Sequence, residues 1–156
     1  MLNDIIIRPA RVSDLDTMHD IFYRAVTISC LHDYTLPQIQ AWTSSIRNIE
    51  RWIHKIESQF FLLALYENKG IAFGSLDQGC YLDFLYVDPD YQRKKIAREI
   101  YTRLKAESLL KGFIHLYTYA SITAKPFMES MGMKAIRENH PIMGEQTLTN
   151  YLMSEA

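Results

Sequence analysis

Apolar residues recur along this chain at two spacings, and the change from one to the other divides it. Leu15, Met18, Phe22, Ala25 and Val26 return every three or four positions, which predicts a helix with one buried face. Before it, Ile5, Ile6 and Ile7 lead through Arg8 to Pro9 as a short strand that the proline ends. Ser13 and Asp16 form a weak cap for the helix. Thr35 followed by Pro37 marks a second helix start, ahead of Ile39 and Trp42. Asn48 is placed to cap a third, whose Ile49, Trp52, Ile53 and Ile56 make one apolar stripe.

From Phe60 the helical period stops. Phe60 to Tyr66 is an unbroken apolar run, as in a strand buried on both faces. Glu67, Asn68, Lys69 and Gly70 form a turn into a strand over residues 71–76, and Asp77, Gln78 and Gly79 turn again into Tyr81 to Val87. These three strands form an antiparallel meander. A helix over residues 92–111 buries Ile96, Ile100 and Leu104 and stops at Gly112. The strand expected over residues 113–119 can then lie parallel to Tyr81–Val87, because a helix separates them. A short helix over residues 123–131 ends at Gly132, and strands near 134–139 and 147–153 flank a turn at Gly144. No linker, repeat or low-complexity tract interrupts the 156 residues, so one mixed α/β domain over 1–156 is expected.

Composition narrows the classes. Apolar residues at 48% and charged ones at 22% are ordinary for a soluble globular chain, and a net charge of −1 gives no global field for nucleic acid. No run approaches the roughly 20 apolar residues of a membrane span, and Met1 to Asp4 carry no export signal, so a cytoplasmic protein is expected. Cys30 and Cys80 make neither a disulfide framework nor a metal spacing and read as small buried hydrophobes. The five histidines, His19, His32, His54, His115 and His140, include no pair at ligand spacing, and no metal is assigned.

The chemistry concentrates after the Tyr81–Val87 strand. Asp88, Pro89, Asp90 and Tyr91 make a turn, and the helix opens on Gln92, Arg93, Lys94, Lys95, Ile96, Ala97 and Arg98. A helix start leaves about four backbone N–H groups without intrahelical partners beside the positive end of the dipole. Four basic residues are unfavourable there unless an anion joins them, and phosphate esters are the usual anions.

This segment resembles the acyl-CoA-binding core of the GNAT superfamily of N-acetyltransferases: a strand, an acidic-Pro turn, then Gln/Arg-x-x-Gly-x-Gly/Ala. The order of elements fits that family from Ile5 to Met153, with motif-level matching at residues 85–98 and 121–133. Lys95 stands where the family has its first glycine, and Ala97 fits the second. Lysine takes up helical angles readily, so the turn can form, while glycine's close approach to pyrophosphate is lost.

The resemblance implies a mostly antiparallel twisted central sheet, flanking helices and a splayed parallel strand pair, with pantetheine in the gap. The backbone of Leu85, Tyr86 and Val87 would meet the pantetheine amides as an added strand does. The pyrophosphate would reach Gln92 to Arg98, and Ser121 and Phe127 would line the far side. The expected reaction is direct attack of an amine on the thioester of acetyl-CoA, a cosubstrate.

Such a transfer needs a base, an oxyanion donor and a proton for the leaving thiolate. The family's second motif commonly places a tyrosine donor where this chain has Met128, and an asparagine where it has Ser121. Asp83 and Tyr81, on one face of their strand, are the replacement candidates. A carboxylate in an apolar strand has its pKa raised, which suits a base, unless it pairs with an arginine or faces water. Tyr117 and Tyr119 are further candidates, although strand tyrosines mostly pack. Trp42 reads as core, and Tyr34 as a loop residue placed to touch the acceptor. The alternative is a CoA-binding or sensing module without turnover; a nucleic-acid-binding domain fits the charge poorly. No membrane or nucleic-acid partner is expected, and the C-terminal strands are compatible with a homodimer.

Overall fold

The computed structural model describes residues 2–156. Strands β1 (Ile6–Pro9), β2 (Phe60–Tyr66), β3 (Lys69–Asp77) and β4 (Tyr81–Val87) pair antiparallel in that order. Their sheet continues through β5 (Tyr117–Ser121), then β9 (Asn150–Ser154) and β6 (Lys134–Asn139), seven strands in all. β4 and β5 are its parallel pair. A separate small hairpin, β7 (Ile142–Met143) and β8 (Gln146–Thr147), turns at Gly144.

The unbroken apolar run of β2 has the cause its pattern implies, since both faces of the sheet are covered. One face packs under helices α1 (Leu15–Arg24), α2 (Leu36–Thr43) and α3 (Ile49–Ser58), with Met18, Phe22, Ile39, Trp52, Leu63 and Phe73 in one core. The other packs under α4 (Ile96–Leu110) and α5 (Lys125–Ser130), with Ala64, Ile71, Leu82, Ile100, Leu104 and Met128 in a second. α4 lies so close to β3 that a Cβ on Gly74 would meet Ile100 at 2.7 Å.

Local chemistry decides the helix ends. Thr35 and Gln38 exchange bonds in a capping box ahead of α2, and Asn48 Oδ1 accepts from Arg51 N at 3.2 Å ahead of α3. α1 differs from the Ser13–Asp16 expectation. A 3₁₀ turn over Val12–Asp14 precedes it, and Arg11 N donates to Asp14 Oδ2 at 2.8 Å. Asp14 is preferred because Arg8 also reaches it, at 2.8 and 2.9 Å. α1 ends in a π-helical turn, Ala25–Ser29.

Several boundaries move from their sequence positions, among them β9, which begins at Asn150 rather than near residue 147. The β2–β3 turn is two residues, Glu67 and Asn68, both left-handed, so β3 begins at Lys69. α4 begins at Ile96 rather than Gln92, because Arg93 and Lys95 are left-handed. β5 begins at Tyr117 rather than Phe113. Gly112, at φ +89°, reverses the chain after α4, and Phe113 is spent covering the turn at Gly79. Tyr117 N is then the amide that reaches Cys80 O, at 3.1 Å. His115 therefore lies outside the strand and is exposed.

Candidate active site

β4 carries a bulge. Ser75 opposes Phe84 and Leu76 opposes Leu82, so Asp83 is an extra residue on the β4 side. A bulge sends two consecutive side chains to one face. Both Asp83 and Phe84 therefore turn towards α3, where Phe84 stacks on Trp52 with centroids 4.9 Å apart. Asp83 Oδ2 accepts from Lys55 Nζ and from Gln59 Nε2, each at 2.8 Å. Lys55 Nζ also sits 4.8 Å over the Phe84 ring. Asp83 Oδ1 has no partner among the described residues. The carboxylate is thus paired with a lysine, and one oxygen stays open.

Next to the bulge the sheet parts. β4 and β5 share one paired position, Tyr81 with Tyr117, and Thr118 Oγ1 donates to Leu82 O at 2.7 Å. Beyond it the edge of β4 has no strand partner among the described residues. The wedge is a cavity of about 180 Å³ lined by Tyr34, Tyr81, Asp83, Leu85, Ser121 and Met128, among others. A second cavity, about 320 Å³, lies against α3 and shares Trp42, Asp83, Tyr86 and Met143 with the first. Asp83 is the charged residue common to both.

Tyr81 stacks on Tyr117 with centroids 4.9 Å apart. Burial, then the neighbouring Asp83 charge, push its pKa up, so the phenol stays protonated at neutral pH. Burial likewise raises Tyr86. Tyr34 is buried, and burial pushes it up to about 12. Its hydroxyl donates to Thr149 O at 2.5 Å and accepts from Ile122 N at 2.9 Å. Tyr34 is therefore a strut across the cleft rather than a free loop side chain, although it lines the first cavity.

The open edge leads to the turn after β4. Asp88 caps a 3₁₀ turn, Pro89–Tyr91, accepting from Asp90 N at 2.9 Å, and Arg24 reaches it from α1 at 3.3 Å. Burial would raise the Asp88 pKa, but that amide and the Arg24 guanidinium outweigh it and hold the carboxyl below its ordinary range. Gln92 Nε2 then donates to Val87 O at 3.2 Å.

Arg93 and Lys95 are both left-handed, at φ 61° and 64°. The sequence expectation of helical angles at Lys95 is thus corrected: the family's glycine place is a left-handed one, and lysine occupies it under strain. The first α4 amide to bond back is that of Glu99, to Lys95 O at 3.1 Å. The backbone N–H groups from Arg93 to Arg98 have no protein acceptor among the described residues. Successive amides in such a turn form an anion-binding nest at the positive end of the helix.

A cavity of about 370 Å³ borders this nest, with Gln92, Arg93, Lys95, Ala97, Arg98 and Phe127 among its walls. The fit to a phosphate ester is good in both charge and free donors.

The candidate residues therefore fall into three places along one line. Tyr81 and Asp83 lie at the closed end of the wedge, Leu85, Tyr86 and Val87 along the open edge, and Gln92 to Arg98 at the nest. Ser121 lines the wedge, and its Oγ also accepts from Ala124 N at 3.0 Å. Lys94 does not line the nest cavity, and Ile96 is buried, so its backbone alone faces an anion. Lys55, Gln59, Arg24 and the strut role of Tyr34 were missed. The first two carry a faint signal, polar residues at four-residue spacing, Arg51 and Lys55 on α3 and Gln59 at its C-terminal cap. The others pair across 64 or more residues and leave none.

Residues 30–150 match the acetyltransferase (GNAT) domain family. The chain is 31% identical over 152 residues to the uncharacterized N-acetyltransferase YafP of Escherichia coli K12, covering 97% of this chain and 96% of that protein. Among solved structures it is similar to a GCN5-related N-acetyltransferase of Rhodopseudomonas palustris, with TM-score 0.96, 24% identity and coverage of 100% and 98%. It is also similar to the PaiA N-acetyltransferase of Thermoplasma acidophilum in complex with coenzyme A, with TM-score 0.82, 20% identity and coverage of 97% and 98%.

Proposed function

Because this chain belongs to the GNAT family of acetyltransferases, we propose that it acetylates an amine of a small molecule or protein at the junction of the two cavities. The observation that carries this reading is the open β4 edge running from Asp83 to a nest of unpartnered amides. In it, the edge at Leu85 to Val87 pairs with the pantetheine amides of acetyl-CoA. The nest amides from Arg93 to Arg98, with the side chains of Arg93, Lys95 and Arg98, hold the diphosphate. Ser121 and Phe127 complete the wall opposite.

Asp83 Oδ1 takes a proton from the attacking amine as its nitrogen bonds to the acetyl carbon. Lys55 and Gln59 hold the other oxygen and so aim the free one. Tyr81 supplies a proton to the sulfur as the carbon–sulfur bond breaks, and the proton on Asp83 restores it, so amine and thioester leave as amide and thiol. The thioether of Met128 has no proton to give, which leaves the donor's part to β4. Free Cys30 and Cys80 suit a reducing cytoplasm, where we place the protein. A homodimer through the edge strand β6 is part of the same reading.

Thiol release from acetyl-CoA, followed with a panel of amines, tests it. Release with at least one amine is expected. CoA bound without release for any amine would restore the non-catalytic reading. Arg93→Glu should weaken CoA binding roughly tenfold or more, because a charge-assisted contact becomes repulsive. Unchanged affinity would remove the diphosphate from the nest.

A further inference from the structure

We propose that the second cavity receives a small amine bearing a carboxylate about one helical turn from its nitrogen, and that Arg51 selects for it; this rests on the assignment of Asp83 as base. Arg51 and Lys55, four residues apart, share one face of α3, and Gln59 follows at the residue that ends the helix. Lys55 and Gln59 are spent on Asp83. The Arg51 guanidinium has no acceptor among the described residues, and Arg51 is exposed where it lines this cavity.

The charged side chains lining the cavity are Arg51, Lys55 and Asp83. The Lys55–Asp83 pair at 2.8 Å cancels itself, leaving one positive charge uncompensated. The remaining walls are largely aromatic, from Phe22, Trp42, Trp52, Phe84 and Tyr86. The cavity therefore has an acceptor of amine protons at its inner end, an apolar middle and a cation at its mouth.

Four residues of helix place Arg51 about 6 Å along the axis from Lys55. Lys55 Nζ holds Asp83 at 2.8 Å, so a ligand joining Asp83 to Arg51 runs about one such turn along α3, the reach of an amine and a carboxylate on opposite sides of one ring. A volume of about 320 Å³ stands at the small end of ligand sites and fits a single-ring molecule better than a polypeptide chain. Guanidinium pairs with carboxylate through two parallel hydrogen bonds, so neutral isosteres are poor substitutes.

Calorimetric titration of the CoA-loaded protein with para-(aminomethyl)benzoate, its benzamide analogue and benzylamine tests this directly. The benzoate is expected to bind roughly tenfold or more tightly than either other probe. Arg51→Gln should erase the difference, and Arg51→Glu should reverse it. Equal binding by all three, no binding by any, or a preference that survives in Arg51→Gln would each overturn the inference. Thiol release with the same amines reads the acetyl-transfer step separately. Transfer without a carboxylate preference sinks this inference alone, whereas a preference in binding without transfer sinks the role given to Asp83.

Discussion

Asp83 owes its position to one inserted residue. The alternation of β4 places it on a face with Tyr81, but the bulge adds Phe84 to that face and brings the carboxylate under α3. The expectation of a carboxylate in an apolar strand was formed without Lys55, which lies 28 residues earlier and contacts it at 2.8 Å. Asp83→Asn keeps the shape and removes the base. Thiol release should fall about 10²–10⁴-fold, while CoA affinity, measured by titration, stays within about twofold. Lys95 makes a different point, because its left-handed φ of 64° is where glycine would be relaxed. A β-branched residue is worst there, so Lys95→Val should cost about 1–2 kcal/mol in urea unfolding. Lys95→Gly should be neutral or stabilising by under about 1 kcal/mol, as relief of strain offsets added freedom in the unfolded chain. The glycine place was legible as a departure from a motif. The angle that explains it was not.

At the scale of elements, the caps of α2 and α3 were readable, while the start of α1 and the junctions between elements were not. Thr35 and Asn48 cap helices with atoms three residues away, and Gly112 stops α4 by its own backbone. By contrast, β5 is registered by the far end of the chain. Glu155 accepts from Leu116 N at 2.6 Å, Tyr101 Oη at 2.7 Å and Lys105 Nζ at 2.6 Å, locking α4, β5 and the chain end together. Burial alone would raise the Glu155 pKa, but these donors outweigh it and the carboxyl lies below the ordinary 4.5. A lowered pKa contributes stability that is present above the unfolded-state value and lost as pH falls through the folded one. Stability followed by urea unfolding should therefore decline below about pH 5. Glu155→Gln should flatten that slope, and Glu155→Ala should cost about 1–3 kcal/mol at neutral pH. The π-helical turn Ala25–Ser29 is the other junction that a 3.6-residue period cannot announce, and the chain leaves it at Cys30, from which it reaches Tyr34.

For the molecule as a whole, the wedge means that two groups of strands meet through few bonds. β1 to β4 stand on one side and β5, β9 and β6 on the other, joined at Tyr81–Tyr117, by Thr118 to Leu82 and by the Tyr34 strut to Ile122 and Thr149. Tyr34→Phe leaves a half-buried amide and carbonyl without that partner and should cost about 1–3 kcal/mol, seen as a drop of several degrees in Tm. CoA, spanning the wedge, should raise Tm in both proteins, by about 2.7 kcal/mol of stability at a hundredfold excess over Kd; no shift in either would count against the wedge as its site. The sequence by itself determined the meander, the capped helices and the basic turn after β4, because each follows from neighbours a few positions apart. It also carried the family, through the motif around residues 85–98. Tertiary structure alone decided which oxygen of Asp83 is free and that Arg51, at the mouth of a cavity, is unpaired among the described residues, and that Tyr34 is a strut. Those facts depend on which surfaces meet across the sheet, and local periodicity holds no record of that.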